Sequence, residues 1–154
     1  MSIRLNYWTK AAMIAAVYAL LTISFAPISY GMIQVRVSEA LTVLPFFTTA
    51  AVPGLFVGCL LANIYGGNGI LDVVFGSAAT LVAAYLTSKI RLKYLAPLPP
   101  VLINVLVVGY ILHLVLGFPF YLTALWVGAG QVVACYGLGY PLLLILEKRR
   151  ILFD

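Results

Sequence analysis

Tyr30 to Pro45 reads YGMIQVRVSEALTVLP, a short stretch that joins two oily helices yet carries Gln34, Arg36, Ser38 and Glu39 together. Almost everything around it is lipid-soluble. Of the 154 residues, 64% are apolar and 8% charged, and the mean hydropathy is +1.13, far outside the range of soluble domains. The chain therefore reads as an all-α integral membrane protein. A hydrocarbon core of about 30 Å needs roughly 20 apolar residues per helical span, so this length holds at most about six spans with very short loops. The expectation is one domain over residues 1–154, a six-helix transmembrane bundle with no room for a soluble domain.

The net charge of +5 would suggest a nucleic-acid partner in a soluble protein, but here the bases sit at span ends and read as topology signals. With both termini cytoplasmic, Arg4, Lys10, Lys89, Arg91, Lys93, Lys148, Arg149 and Arg150 lie inside, against Arg36 alone outside. That asymmetry places the Tyr30–Pro45 loop, the GGNG loop and the LGFPF loop on the outer face. Arg4 and Lys10 ahead of the apolar run Ala11–Ala26 resemble a secretory signal. The run is long for one, however, and Pro27 follows the point of cleavage, so it reads as a retained helix. Cys59 and Cys135 lie in different apolar stretches without metal-ligand spacing and read as buried thiols.

Taken in order, the first helix covers about Tyr7 to Ser29 and places small residues four apart, Ala11, Ala15 and Ala19 on one line with Ala12 and Ala16 beside it. Such a stripe lets two helix backbones approach closely in lipid, either within the bundle or against another membrane subunit. Glu39–Val52 and Gly54–Tyr65 follow, separated by Pro53 and Gly54. Each reaches only about 18 to 21 Å as an α-helix, so they form two short crossing helices or a re-entrant hairpin. After GGNG, the helix Ile70–Ile90 turns Asp72, Gly76, Ala79, Thr80, Ala83 and Thr87 to one side. Pro97, Pro99 and Pro100 precede the fifth helix, about Val101–Leu116, with Asn104 and His113. The sixth, about Tyr121–Leu146, carries Trp126 and Gln131.

Polarity thus gathers toward the outer side, where Arg36, Glu39, Asn63, Asp72, Trp126 and Gln131 lie, with Asn104 nearer the midplane. Ionisable and amide groups at depth are costly unless they face a cavity or one another. An outward-opening ligand pocket meets that condition, and these seven residues are the candidate site. Structural alternatives stand beside each. Arg36 and Glu39 are three apart and could pair, Asp72 could cap its helix, and Asn63, Asn104 and Gln131 could be interhelical glue. Trp126 could belong to an interfacial belt, and His113 reads as structural. GGNG lacks the Lys-Ser or Lys-Thr of a phosphate-binding loop, and HExxH, GxSxG and Cys/His ligand clusters are missing. No catalytic, metal or cofactor role is assigned to any residue.

The motif YGMIQVRVSEALTVLP, continued by VPGLFVGCLLANIYGGNGILDVVFGSAATLVAAYL, resembles the queuosine-precursor transporter family (QueT). These are substrate-binding S components of energy-coupling factor (ECF) transporters. The resemblance covers essentially the whole chain. It implies a ligand held in the outer part of the bundle beneath the first loop, together with a transmembrane coupling subunit and two cytoplasmic ATPase subunits. It also implies that the alanine stripe of AAMIAAVYA, carried by Ala11, Ala15 and Ala19, is the docking surface. A 7-deazaguanine offers adjacent N–H donors for a carboxylate, a carbonyl for an amide or Arg, and a flat ring for an aromatic. Glu39, Gln131 or Arg36, and Trp126 suit those roles, while Asp72 could instead pair with an aminomethyl cation. A self-contained small carrier or membrane scaffold without an ATPase partner is the competing reading.

The distribution of bases generates a direct test. Cysteines introduced at Asn68 and Phe118 should react with impermeant thiol reagents added outside cells, and one at Lys93 should not. The reverse labelling pattern would overturn the orientation.

Overall fold

The computed structural model describes residues 2–149, with side chains from residue 6 onward. Arg150 and the side chain of Arg4, both used above in counting bases, lie outside the described residues. Helix α1 (Ser2–Ser24) ends at Phe25, and α2 (Ala26–Ser29) adds one turn with Pro27 near its start. A 3-10 helix (Val37–Phe46) follows, then α3 (Ala51–Gly66). A π-helical turn (Asp72–Gly76) leads into α4 (Ser77–Lys89), and α5 spans Leu98–Leu116. The last long helix is α6 (Phe120–Gln131), a π-helical stretch (Val132–Gly139) and α7 (Tyr140–Lys148) in unbroken succession. No strand occurs among the described residues. Three helical segments, Asn6–Ser24, Lys93–Leu116 and Phe120–Lys148, are long and apolar enough to cross a bilayer, and the protein is a membrane protein.

The expected break at Pro53 and Gly54 does not occur. Pro53 sits in the first turn of α3, where a missing N–H leaves no intrahelical bond unmade. The chain turns earlier, at residues 47–50, and the segment before it is 3-10 rather than α-helical. That winding decides its reach. Ten residues at the roughly 2.0 Å rise of a 3-10 helix extend about 20 Å, against about 15 Å as an α-helix.

Its hydrogen bonds to α1 show how deep it runs. Ser38 Oγ lies 2.6 Å from Thr22 Oγ1, Tyr18 OH donates to Glu39 Oε1 at 2.5 Å, and past the turn Tyr7 OH donates to Thr49 O at 3.3 Å. The levels of Thr22 and Tyr7 on α1 are about 22 Å apart by α-helical rise. The segment thus descends most of the length of α1, and α3 returns to the starting end, where Tyr30 OH donates to Ala62 O.

Small residues set the helix spacing. A Cβ built on Gly54 would stand 2.7 Å from Ala11 O, and one on Gly58 2.8 Å from Ala15 O, so the backbones of α1 and α3 touch. Ala11, Ala15 and Ala19 are accordingly buried inside the chain. The stripe packs against α3, and beside it Ala12 and Ala16 are exposed. The small face of α4 also turns inward, with Ala79, Thr80, Ala83 and Thr87 buried. In lipid, such close packing is a principal source of helix association.

Two apolar clusters fill the interior. Tyr18, Leu44, Leu55, Cys59 and Ala84 belong to one, and Val43, Ala96 and Leu143 to the other. The second lies toward the basic end of the bundle, where Lys93 Nζ donates to Glu147 Oε2 at 3.1 Å. Left-handed glycines close the opposite end, Gly67 with φ 64° after α3 and Gly117 with φ 74° after α5. His113 Nδ1 is 2.6 Å from Phe118 O, so it holds the LGFPF turn, as the structural reading expected.

Gly58→Val should lower the melting temperature of the detergent-purified protein, because overpacking costs about 1–3 kcal/mol. Gly137→Ala meets open space and should not lower it. Circular dichroism melts of the two variants check the pair.

Candidate ligand site

The polar end of the bundle is organised by Arg36, which is 4% exposed. Its backbone is extended (φ −85°, ψ 104°) just before the 3-10 helix, so its side chain leaves the line of that helix and crosses to α3 and the π turn. Nη1 donates to Asn63 Oδ1 at 3.0 Å, Nη2 to Asp72 Oδ2 at 3.3 Å, and Nε to Ser29 O at 3.3 Å. The guanidinium carbon lies 5.7 Å from the centre of the Tyr30 ring. Asn63 in turn donates from Nδ2 to Asp72 O at 3.0 Å and Ser77 Oγ at 3.2 Å. One Arg and one Asn therefore tie the first loop, α3 and the start of α4 together.

Between the loop, the π turn and α5 lies a cavity of about 160 Å³, lined by Tyr30, Gln34, Asn68 and Asp72 on its polar side and by Val108, Ile111 and Leu112 on the other. A void of about 150 Å³ takes a benzene ring, so this one is ring-sized. Asn68 Nδ2 lies 3.5 Å from Asp72 Oδ2, whereas Asp72 Oδ1 is buried with no partner. A Cβ on Gly76 would stand 2.6 Å from that oxygen, so the glycine leaves it room. The loop is seated by two more glycines: the Tyr30 ring covers Gly66, and the Gln34 carbonyl covers Gly130.

Glu39 forms a second centre behind Arg36. It is 1% exposed, accepts from Tyr18 OH at Oε1, and has no partner at Oε2. Its own carbonyl accepts from Thr42 Oγ1 at 2.5 Å and Cys135 Sγ at 3.8 Å. Cys59 lies beside the first centre, 4.0 Å from Arg36 Nη1 and 3.4 Å from Asn63 Nδ2. Unpaired buried carboxylate oxygens carry a desolvation penalty that a ligand with N–H donors would relieve.

A family model described as QueT transporter matches residues 8–148. The chain belongs to the QueT transporter family. It is also similar to a protein named queuosine precursor transporter QueT from Lactococcus lactis subsp. cremoris (strain MG1363), 38% identical over 73 residues. That alignment covers 46% of this chain and 43% of the relative, so the matched stretch is less than half the length of either. No solved structure matches the chain at a significant level.

In this QueT chain the residues expected to form one site divide into four groups, one of them Glu39 with Tyr18. Arg36, Asn63 and Asp72 come together, with Asp72 on the cavity. Asn104 Nδ2 donates to Gln131 Oε1 at 3.1 Å, so these amides bridge α5 and α6, and neither lines the cavity. Trp126 stands edge-on to Phe118, ring centres 5.3 Å apart, and is likewise off the cavity. Of the structural alternatives, Arg36 pairs with Asp72 rather than Glu39, and Asp72 makes no side-chain cap.

Tyr18, Tyr30 and Asn68 were missed as site residues. Tyr18 had a usable signal: it follows Ala15 by three and precedes Thr22 by four, on the buried face of α1. Tyr30 and Asn68 flank loops, where spacing gives no direction.

Arg36→Met should destabilise the protein by about 3–5 kcal/mol, since it leaves the buried Asp72 carboxylate unpaired. Adding Asp72→Asn should recover a large part of that loss. Chemical denaturation of the two single variants and the double variant measures the coupling.

Proposed function

We propose that this chain is the substrate-binding membrane component of an uptake system for a queuosine precursor, a 7-deazaguanine bound from the outer face. The family match supports the transporter reading, and the observation that carries the ligand class is the Asp72 carboxylate. It lines a ring-sized cavity, and its Oδ2 is fixed by Arg36 while Oδ1 is unpaired. A carboxylate so held suits the adjacent N–H donors of a guanine-like edge, with Gln34 and Asn68 available to the ring carbonyl. A bicyclic base is larger than the empty cavity, and Met32 and Leu116 at its lining, 53% and 43% exposed, are free to move outward.

In this reading the bundle crosses the cell membrane six times, the 3-10 helix being one crossing, with both termini cytoplasmic. Energy comes from partners, a transmembrane coupling subunit and two cytoplasmic ATPase subunits of the ECF type. Docking falls on the exposed Ala12 and Ala16 and on the adjacent groove lined by Trp8, Ala11, Ala15, Pro53, Gly54 and Val57. Ala11 and Ala15 contribute its floor rather than a projecting stripe.

The test is reconstitution. The purified chain should bind a 7-deazaguanine without ATP and should not accumulate it against a gradient in vesicles. Asp72→Asn should weaken binding by at least about tenfold, given the roughly 1.5–3 kcal/mol of a charged hydrogen bond. Concentrative uptake by this polypeptide alone would overturn the multi-subunit reading, and unchanged affinity in Asp72→Asn would remove Asp72 from the site.

A further inference from the structure

Three charged side chains are buried together in the half of the bundle that holds the cavity: Arg36, Asp72 and Glu39, exposed by 4%, 3% and 1%. Arg36 is their only cation, and it is committed to Asp72. Among the described residues, no Lys, Arg or His nitrogen lies within 4.0 Å of Glu39, the ion pairs being Arg36–Asp72 and Lys93–Glu147. The groups that hydrogen-bond to Glu39 are neutral, Tyr18 from α1, Thr42 from its own segment and Cys135 from the π stretch, and the one cation that acts on it, Arg36, is shared with Asp72. One carboxylate oxygen on each acid is unpaired. With every side chain in its ordinary ionisation state the cluster sums to one negative charge, in a place where water cannot screen it.

We propose that Glu39 is a charge-selecting residue: it leaves the Arg36–Asp72–Glu39 cluster one positive charge short, so the site takes up a single monocation together with the ring. This rests on the reading of the cavity as a 7-deazaguanine site and deepens it. The arriving charge is either an ammonium group on the ligand or a co-bound sodium ion. Glu39 acts from behind Arg36, across a dry interior, and Asp72 presents the cluster to the cavity.

The experiment compares wild type and Glu39→Gln by calorimetry, using 7-aminomethyl-7-deazaguanine as the cationic probe and 7-cyano-7-deazaguanine as the neutral one. Each is measured in choline and in sodium buffer. If the ligand supplies the charge, wild type should bind the aminomethyl compound at least tenfold more tightly than the cyano compound in choline. Glu39→Gln should erase that gap while still binding the cyano compound. If sodium supplies it, replacing choline with sodium should tighten cyano binding at least tenfold in wild type and not in the variant. Equal affinities with no sodium effect, or a gap that survives in Glu39→Gln, would overturn the proposal.

A ligand-free arm stands apart from the substrate assignment. Removing an uncompensated buried charge should raise the melting temperature of the empty protein, by at least about 2 °C, in Glu39→Gln. An unchanged or lower value would show that the acid already holds a proton, and would also overturn the proposal. Failure of both compounds to bind wild type would defeat the 7-deazaguanine reading, leaving the melting arm to decide the charge.

Discussion

The contact on which the polar half of the structure depends is the buried ion pair between Arg36 and Asp72, braced by Asn63. A guanidinium and a carboxylate removed from water are stable only with good geometry and further hydrogen bonds. Here those bonds come from four places along the chain, Ser29, Asn63, Asp72 and, through Asn63, Ser77. Satisfying the charges therefore forces the first loop onto α3 and the π turn, which is also what encloses the cavity. On the proposed function, ligand recognition and local folding draw on the same atoms.

The apolar half follows a different constraint, the close approach of backbones. Gly54 and Gly58 admit Ala11 and Ala15, and Gly139 lies against Ala40, where a Cβ would meet its carbonyl at 3.2 Å. This second approach joins the overwound 3-10 helix to the underwound π stretch of the last long helix. Unusual helical winding of this kind is frequent beside functional sites, and the π turn that begins at Asp72 borders the cavity.

Much of this was legible in the sequence, for identifiable reasons. Hydropathy reports the membrane class, and the glycines of GGNG and LGFPF do end helices. The small side of Ile70–Ile90 faces inward, because a face lacking bulk is the one that neighbours can cover. Arg36 and Glu39 misled because the rule that pairs residues three apart assumes both lie on one helix, whereas Arg36 is extended backbone outside it. Ala11 and Ala15 gave a close-packing stripe but not its partner, because Gly54 and Gly58, which repeat with the same spacing of four and lie against them, are hidden when Gly54 beside Pro53 reads as a breaker. The 3-10 winding had no periodic signature, since a segment apolar on nearly every side looks alike at 3.0 and 3.6 residues per turn.

The two apolar clusters matter for something other than cohesion. Polar groups crowd the end that holds the cavity, and beyond Glu39 and Thr42 the interior is closed by Val43, Leu44, Leu55 and Leu143, all buried. A layer of hydrocarbon side chains at close packing leaves no file of water, and an ion crossing it would be stripped of hydration. The chain is consequently an electrical insulator, able to reside in an energised membrane without dissipating the gradient across it.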